Sequence, residues 1–271
     1  MGVTGNFYGD YLYWNTTGVT WAVGSENIEL GRGASYGFGG GATGCVALGM
    51  SAGGGKESTI AIGNNAGRGL QQGANSIAIG AKAAPDTETS SASANTISIG
   101  GTSGSRLDFN CNNAVAVGAC AGQDCRIGSI AIGNRANSGF TAPVNSSYSV
   151  VIGSLAGLAG VNQQAIVIGN NASSEIVAGE GCVIVGPNAG TTLAGSVVIG
   201  KAASLSTDNA AMTNGIVING TNALMAVTGS TGPGFWVKPV RQITGIAGIT
   251  AQGFTGPVYY NITSGEFAVL V

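Results

Sequence analysis

A five-residue pattern of apolar and small residues recurs along the chain, as in "CVALG", "TIAIG", "SIAIG" and "CVIVG". The interval between successive copies is shortest from Gly49 to Gly63 and from Gly186 to Gly200 and longer elsewhere, so the repeat has a fixed core and a loop of variable length. Ten copies end in Gly, and an eleventh, "GIVIN", ends in Asn. The closing residues are Gly49, Gly63, Gly80, Gly100, Gly118, Gly133, Gly153, Gly169, Gly186, Gly200 and Asn219.

The second and fourth positions of every copy are aliphatic, and all of them except Leu48 are β-branched. Alternation with a period of two in β-branched residues predicts strands rather than helices. Because so short a strand cannot form a sheet alone, the copies are expected to stack about 4.8 Å apart as parallel strands. Eleven such strands predict a rod roughly 50 Å long with an aliphatic ladder along it.

A small residue lies three positions after each closing Gly. It is Ala in every copy but the fourth, which has Ser103. This offset predicts a tight turn that folds each coil back over a narrow core, with Gly freeing the backbone for the bend. The insertions then fall after the turn, so they are expected to project from one side as loops. The alanines are Ala52, Ala66, Ala83, Ala121, Ala136, Ala156, Ala172, Ala189 and Ala203.

The repeated "SIAIG" unit, with its Gly/Ala turn and its short minimal period, resembles the YadA-like head repeat of trimeric autotransporter adhesins. The resemblance covers about residues 45–219. It implies an all-β fold, a left-handed parallel β-roll or solenoid of about eleven coils. It also implies a homotrimer in which three rolls lie side by side.

Physical reasoning points to the same association. A one-layer coil as short as this repeat has little interior, so a lone rod would leave an apolar face in water. The middle residue of each unit is small up to Ala131 and large from Val151 onward, as in Val167 and Ile184. We therefore expect this second strand face to be buried as well, more heavily in the C-terminal half, against neighbouring chains.

The two ends share a different element. Residues 12–23, "LYWNTTGVTWAV", and residues 258–269, "VYYNITSGEFAV", each predict a β-hairpin with Gly at the turn. Solenoids need covered ends, so each hairpin is expected to cap the rod or to attach it to another component. The candidate cap or attachment residues are Tyr13, Trp14, Trp21, Trp236, Tyr259 and Tyr260.

The segment "WVKPVRQ" followed by "VYYN…SGE" resembles C-terminal segments of surface and fibre proteins of large double-stranded DNA viruses of the chlorovirus kind. Pro239 predicts an edge strand there. No secretory signal, heptad stalk or transmembrane segment is visible, unlike in a bacterial autotransporter. We expect three parts: 1–44, a hairpin cap with a Gly-rich link at 31–44; 45–219, the β-roll; and 220–271, a linker and second hairpin cap.

Composition limits the chemistry. Only 8% of residues are charged, the net charge is −2 and His is absent. These values exclude electrostatic attraction to nucleic acid or an anionic membrane, and they exclude His-based nucleophilic catalysis. Five cysteines cannot all pair within the chain; reduced thiols are expected, and one disulfide within Cys111, Cys120 and Cys125 is the alternative. No zinc spacing, calcium repeat or phosphate loop is present, so no catalytic, cofactor or metal site is expected.

Binding through loops is the activity left open. The long insertions are polar with isolated aromatic residues, and loops on a rigid scaffold often carry recognition. The candidate binding residues are Phe109, Phe140 and Tyr148.

The sequence predicts a non-enzymatic structural fibre or spike on the surface of a virus particle, made in the host cytoplasm. Its partners would be two more copies of itself, other capsid or fibre proteins, and a host surface glycan or receptor. The alternative is an extracellular adhesin head that binds host matrix or glycans. A more distant alternative is a polysaccharide-cleaving fibre that uses loop carboxylates such as Asp108 and Asp124.

Overall fold

The computed structural model shows an all-β chain built around a parallel β-solenoid, without a helix in its described part. That part comprises residues 10–15, 20–24, 26–34, 43–53, 57–67, 74–84, 94–104, 112–123, 125–139, 146–175, 177–205, 215–219, 225–227, 235–238, 258–260 and 267–269. The chain divides into two compact units, Met1–Val237 and Lys238–Val271.

The strands are short, as the repeat predicts. In chain order they are β1 (Tyr11–Asn15), β2 (Thr20–Gly24), β3 (Ile28–Leu30), β4 (Val46–Leu48), β5 (Ile60–Ile62), β6 (Ile77–Ile79), β7 (Ile97–Ile99), β8 (Val115–Val117), β9 (Ile130–Ile132), β10 (Val150–Ile152), β11 (Ile166–Ile168), β12 (Val183–Val185), β13 (Gly190–Thr191), β14 (Val197–Gly200), β15 (Ala203–Leu205), β16 (Ile216–Asn219), β17 (Met225–Val227), β18 (Phe235–Lys238), β19 (Val258–Tyr260) and β20 (Phe267–Val269).

One thirteen-stranded sheet carries the repeat. Its order is β18-β16-β14-β12-β11-β10-β9-β8-β7-β6-β5-β4-β3, and neighbouring repeat strands pair in parallel. The register is that of the sequence alignment, because equivalent positions face each other, as Val150 faces Ile166. A small second sheet, β13-β15-β17, forms from the turns that follow three C-terminal strands. The predicted stacking of the repeat units in parallel is confirmed.

Two features of the structure require Gly at the closing position of each repeat unit. Gly133 has φ +132°, a backbone conformation that side chains rarely adopt. A Cβ built on it would also lie 2.5 Å from the carbonyl oxygen of Gly153, the equivalent residue in the next coil. The other closing glycines have the same conformation and the same close approach, so the backbones of successive coils touch along this column.

The predicted tight turn follows this Gly. The backbone N–H of Ala136 donates to the carbonyl of Gly133 across 3.3 Å, and the equivalent bond recurs in the other coils from β3 to β12. Arg135, inside the turn, is in the left-handed region with φ 54°. The turn brings Ala136 into complete burial opposite the strand, which leaves a core only a few side chains wide.

The middle residue of each strand fills that core. Val151, Val167 and Ile184 have no exposed surface within the single chain. The expectation that this strand face is buried is therefore confirmed, but the expectation that neighbouring chains bury it is wrong. The face is covered by the chain's own turn column, which lies directly across the coil.

The interior consists of two apolar clusters. The first contains only alanines between Ala47 and Ala84, and the second runs from Ala114 to Val217 with the larger Val and Ile residues. Between them lies a coil whose buried side chains are polar: Thr96, Ser98 and Ser103.

The parallel sheet begins one strand before the first of the eleven repeat copies. Strand β3 pairs in parallel with β4, and Glu29 faces Ala47 in the register. Its sequence, "NIELG", follows the repeat pattern, and Gly31 and Ala34 reproduce the Gly/Ala turn with an N–H···O bond of 3.1 Å. Glu29 is charged and stands at the middle position, where the other copies have a small or aliphatic residue, so the sequence pattern does not predict this strand.

Both terminal hairpins are confirmed. Strands β1 and β2 pair antiparallel with Trp14 opposite Trp21, and β19 and β20 pair antiparallel with Tyr259 opposite Ala268. Strand β18 ends at Lys238, immediately before Pro239, and lies at the edge of the parallel sheet, as the Pro predicts.

Candidate functional site

The outer face of the parallel sheet presents two continuous columns of aliphatic side chains, which we call the outer strip. It consists of the first and third residues of strands β3 to β12, β14 and β16. Every one of these side chains is at least partly exposed, and Ile132, Ile166 and Ile199 are exposed to between 36% and 39%. Strand alternation explains the strip: since the middle residue points inward, its two neighbours must point outward.

Polar corners border the outer strip along both edges. On one edge, the two residues after each closing Gly include the exposed Asn64, Lys82 and Asn134. On the other edge, the residue two places before each of the strands β4 to β12 and β14 is in the left-handed region, where Asn is well tolerated. Asn95 and Asn113 occupy this position in adjacent coils, and the side-chain amide of Asn95 donates to that of Asn113 across 3.2 Å. The strip therefore has an apolar centre and a polar rim, as protein interfaces do.

The size of the strip is unusual for a surface that remains in water. Its stacked strands extend roughly 50 Å, and two columns of side chains make it about 10 Å wide. A patch on the order of 500 Å² per chain is at the upper end of what monomeric soluble proteins expose.

One of the three predicted loop residues lies in the described part of the chain. Tyr148 is 62% exposed, with φ 59° at the corner before β10. Its ring lies against Gly128 of the preceding coil, where a Cβ would approach the ring to 2.8 Å. Phe109 and Phe140 lie outside the described residues.

The N-terminal hairpin has two different faces. Trp14 and Trp21 form an edge-to-face pair with ring centroids 5.6 Å apart, and both are about half exposed. Tyr11 points toward the first strand of the parallel sheet, and its hydroxyl donates a hydrogen bond to the carbonyl of Asn27. Tyr13, on the same side as Tyr11, is 36% exposed.

The environment of Tyr11 is desolvated and negative. Burial raises the pKa of the Tyr11 hydroxyl above its usual value, and the carboxylate of Glu29 raises the pKa further. The hydroxyl therefore stays protonated over the physiological range and can keep donating to Asn27.

For the candidate cap or attachment residues near the C-terminus, the structure describes only the backbone. Trp236 lies in β18, and Tyr259 and Tyr260 lie in β19. Their side chains are outside the described part of the chain.

None of the four cysteines that the structure describes is in a disulfide bond. Cys45, Cys125 and Cys182 are buried and Cys120 is partly exposed, whereas Cys111 lies outside the described residues. Burial raises the pKa of the Cys182 thiol to about 11. Cys45 and Cys182 occupy the position before the strand, a column that from β4 onward otherwise holds buried Ser, Thr, Ala and Gly, so here Cys acts as a small core residue.

Among the described residues, no group of His, Cys, Asp and Glu side chains could hold a metal ion. No helix in that part of the chain is long and apolar enough to cross a membrane. The loop carboxylates Asp108 and Asp124 lie outside it.

Comparison of the chain with family models, with curated proteins and with solved structures finds no match.

Proposed function

We propose that this chain is a non-enzymatic structural protein that forms a homotrimer through its outer strip and serves as a fibre or spike of a virus particle. The trimer would consist of left-handed β-rolls of about eleven coils that shield each other's strips. The observation that carries the proposal is the outer strip itself, an unbroken aliphatic face along the parallel sheet.

The physical case for self-association starts from the narrow interior. Each repeat coil from β4 to β14 buries its middle strand residue and its turn residue, which is Ala except for Ser103, so these described coils have no remaining interior for the strip residues. Burying partly exposed Ile and Val releases about 25 cal/mol per Å² of apolar surface, and the strip offers hundreds of Å². An identical strip on another copy has the same repeat of about 4.8 Å, and its columns can therefore interdigitate along their whole length.

The attachment part of the proposal rests on the ends. The two terminal hairpins repeat one aromatic sequence, and the N-terminal one exposes Trp14 and Trp21 while Tyr11 contacts the segment that leads into the first strand of the sheet. Trp is enriched where proteins dock to one another. This arrangement supports a cap that also binds other capsid or fibre proteins, and the viral setting is suggested by the resemblance of the C-terminal segment.

The trimer is tested by measuring mass in solution. Light scattering coupled to size exclusion is expected to give about three times 26.5 kDa. Ile132→Lys places a charge in the middle of the strip, where Ile132 is 39% exposed in the single chain, so the trimer is expected to dissociate while circular dichroism remains β. Asn134→Lys is the matched control, because it adds the same charge at a polar corner two residues away. A native chain that runs as a monomer would overturn the proposal.

The viral role is tested on particles. Antibody labelling of intact particles from infected cells is expected to mark surface projections, and particles assembled without the chain are expected to lack them. Projections that persist in its absence would contradict this part of the proposal and leave the trimer untouched.

An adhesin head is the second candidate, favoured by the exposed ring of Tyr148 on a coil corner. A glycan array probed with the native trimer distinguishes the two functions. Specific binding that is lost in Tyr148→Ala and kept in Tyr148→Phe would favour the adhesin.

A further inference from the structure

A cavity of about 240 Å³ lies between the N-terminal hairpin and the segment that leads into β3. Tyr11, Tyr13, Glu26 and Glu29 line it, and no Lys or Arg is among the described residues of its lining. The cavity lining thus combines two aromatic rings with two carboxylates and carries no positively charged side chain from the described residues. It is distinct from the outer strip and does not depend on the proposed trimer.

The two tyrosine rings are arranged as adjoining walls. Their centroids are 6.3 Å apart and their planes are inclined by 47°. A cation attracted to an aromatic face sits within about 6 Å of the ring centroid, so one small cation can contact both rings. Tyr13 and Glu26 are exposed, and the cavity is therefore open to solvent.

The wall formed by Tyr11 is held in place by two contacts. Its hydroxyl donates to the carbonyl of Asn27, and its ring lies over Gly24, where a Cβ would come within 2.7 Å of the ring carbon that bears the hydroxyl. The carboxylate of Glu29 is also near enough to raise the pKa of the Tyr11 hydroxyl, which keeps the ring neutral. A preformed site of this kind loses little conformational entropy on binding.

We propose that this cavity binds an alkylammonium group, such as a choline-type headgroup or the methylated side chain of a lysine. The π faces and the carboxylates both favour a positive charge, whereas a neutral group of equal shape gains only apolar contact. Pockets for drug-sized ligands are larger, typically roughly 300 Å³ or more. The small volume of this cavity therefore fits a headgroup rather than a larger molecule.

The proposal is tested by titrating the full chain at low salt with choline chloride and, separately, with trimethyl-lysine as the protected amino acid. Calorimetry or the fluorescence of the hairpin gives the affinity. The neutral isostere 3,3-dimethylbutanol is expected to bind at least about tenfold more weakly than choline. Tighter binding of choline would indicate a choline-type headgroup as the ligand, and tighter binding of trimethyl-lysine would indicate a methylated lysine side chain. Failure of both cations to bind at tens of millimolar, or equal binding of the isostere, would overturn the proposal.

Variants place the binding in this cavity. Tyr13→Ala and Glu29→Gln are each expected to weaken choline binding by about tenfold, while Tyr13→Phe keeps the ring and changes binding less than about threefold. Glu57→Gln removes an exposed carboxylate outside the cavity and serves as the charge control. A control effect equal to that of Glu29→Gln would overturn the assignment, because choline would then sense only net charge. Unfolding curves of each variant exclude a loss of the hairpin itself.

Discussion

The closing glycines show how one residue type sets the spacing of the solenoid. Their φ values near +130° place the backbone where only Gly is comfortable, and their missing Cβ lets the next coil approach. The positive φ and the close approach of the next coil are separate requirements. A residue other than Gly would therefore strain the backbone and also clash with the next coil.

Gly100 and Gly101 are neighbours in the chain, but only Gly100 is at a position that requires Gly. A Cβ on Gly100 would lie 2.5 Å from the carbonyl oxygen of Gly118, with φ at +126°. On Gly101 the nearest atom is 3.9 Å away. Gly100→Ala is expected to destabilise the fold by about 3 kcal/mol, whereas Gly101→Ala should change stability by less than about 1 kcal/mol. Urea unfolding followed by circular dichroism compares them, and equal midpoints would contradict the stacking described here.

Thiol chemistry gives a second prediction for single residues. The thiolate is the reactive form, and a pKa of about 11 for Cys182 leaves roughly one thiol in a thousand ionised at pH 8. Cys182 is also buried, so iodoacetamide is expected to modify Cys120 in the native protein and Cys182 only after unfolding. Peptide mass spectrometry reads each site. Rapid native labelling of Cys182 would show that its coil opens.

At the scale of elements, the polar coil around β7 divides the interior. Ser98 lies between Ala78 and Ala116 in the sheet register, and it occupies a position that is apolar in the other repeat units from β4 to β16. On either side the alanine cluster and the Val/Ile cluster bury different amounts of apolar volume. Because solenoid stability is a sum over coils and their interfaces, we expect the alanine part to open first.

Hydrogen exchange tests this order. Amides of Ile60–Ile62 are expected to exchange faster than those of Ile166–Ile168. Ser98→Ala, which removes the buried hydroxyl with little change of shape, should slow exchange in the alanine part. Ala116→Ser is the converse variant and should cost about 1–3 kcal/mol and speed exchange in both parts. Identical exchange across the solenoid would argue against the division.

The N-terminal hairpin is an element whose role can be tested by removal. Strand β3 is at the edge of the parallel sheet, and a free edge can pair with another chain. Removing residues 1–25 takes away Tyr11 and the rest of the hairpin that contacts this region. We expect the truncated protein to form longer assemblies with rising concentration, measured by light scattering. Trp14→Ala, which changes only the exposed face, should not have this effect.

At the scale of the whole molecule, the repeat makes two apolar faces and covers only one of them. The interior uses the middle strand residues and the turn alanines, so the strand faces richest in Ile remain outside. In such a fold the backbone groups are paired along the sheet, but the aliphatic side chains of the outer strip remain in contact with water. The outer strip is therefore the surface through which we propose that the chain trimerises.

Much of this architecture could be predicted from the sequence. The period-two alternation of Ile and Val predicted strands, the closing Gly and Ala predicted the turn, and the aromatic segments predicted both hairpins. The first strand of the parallel sheet, β3, was missed because Glu29 interrupts the pattern, although Gly31 and Ala34 carried the signal. The cavity beside Tyr11 could not be predicted, because it forms between segments that belong to different elements.

The sequence by itself determined the strands, their parallel register and the positions of the turns, since these follow from local spacing and from the conformations that Gly permits. Only the tertiary structure decided which strand face is inside. Both faces are apolar, and alternation alone does not distinguish them. The turn places Ala136 and its equivalents across the coil from the middle strand residue, and the two pack against each other. The first and third strand residues, which form the outer strip, are thereby left on the surface.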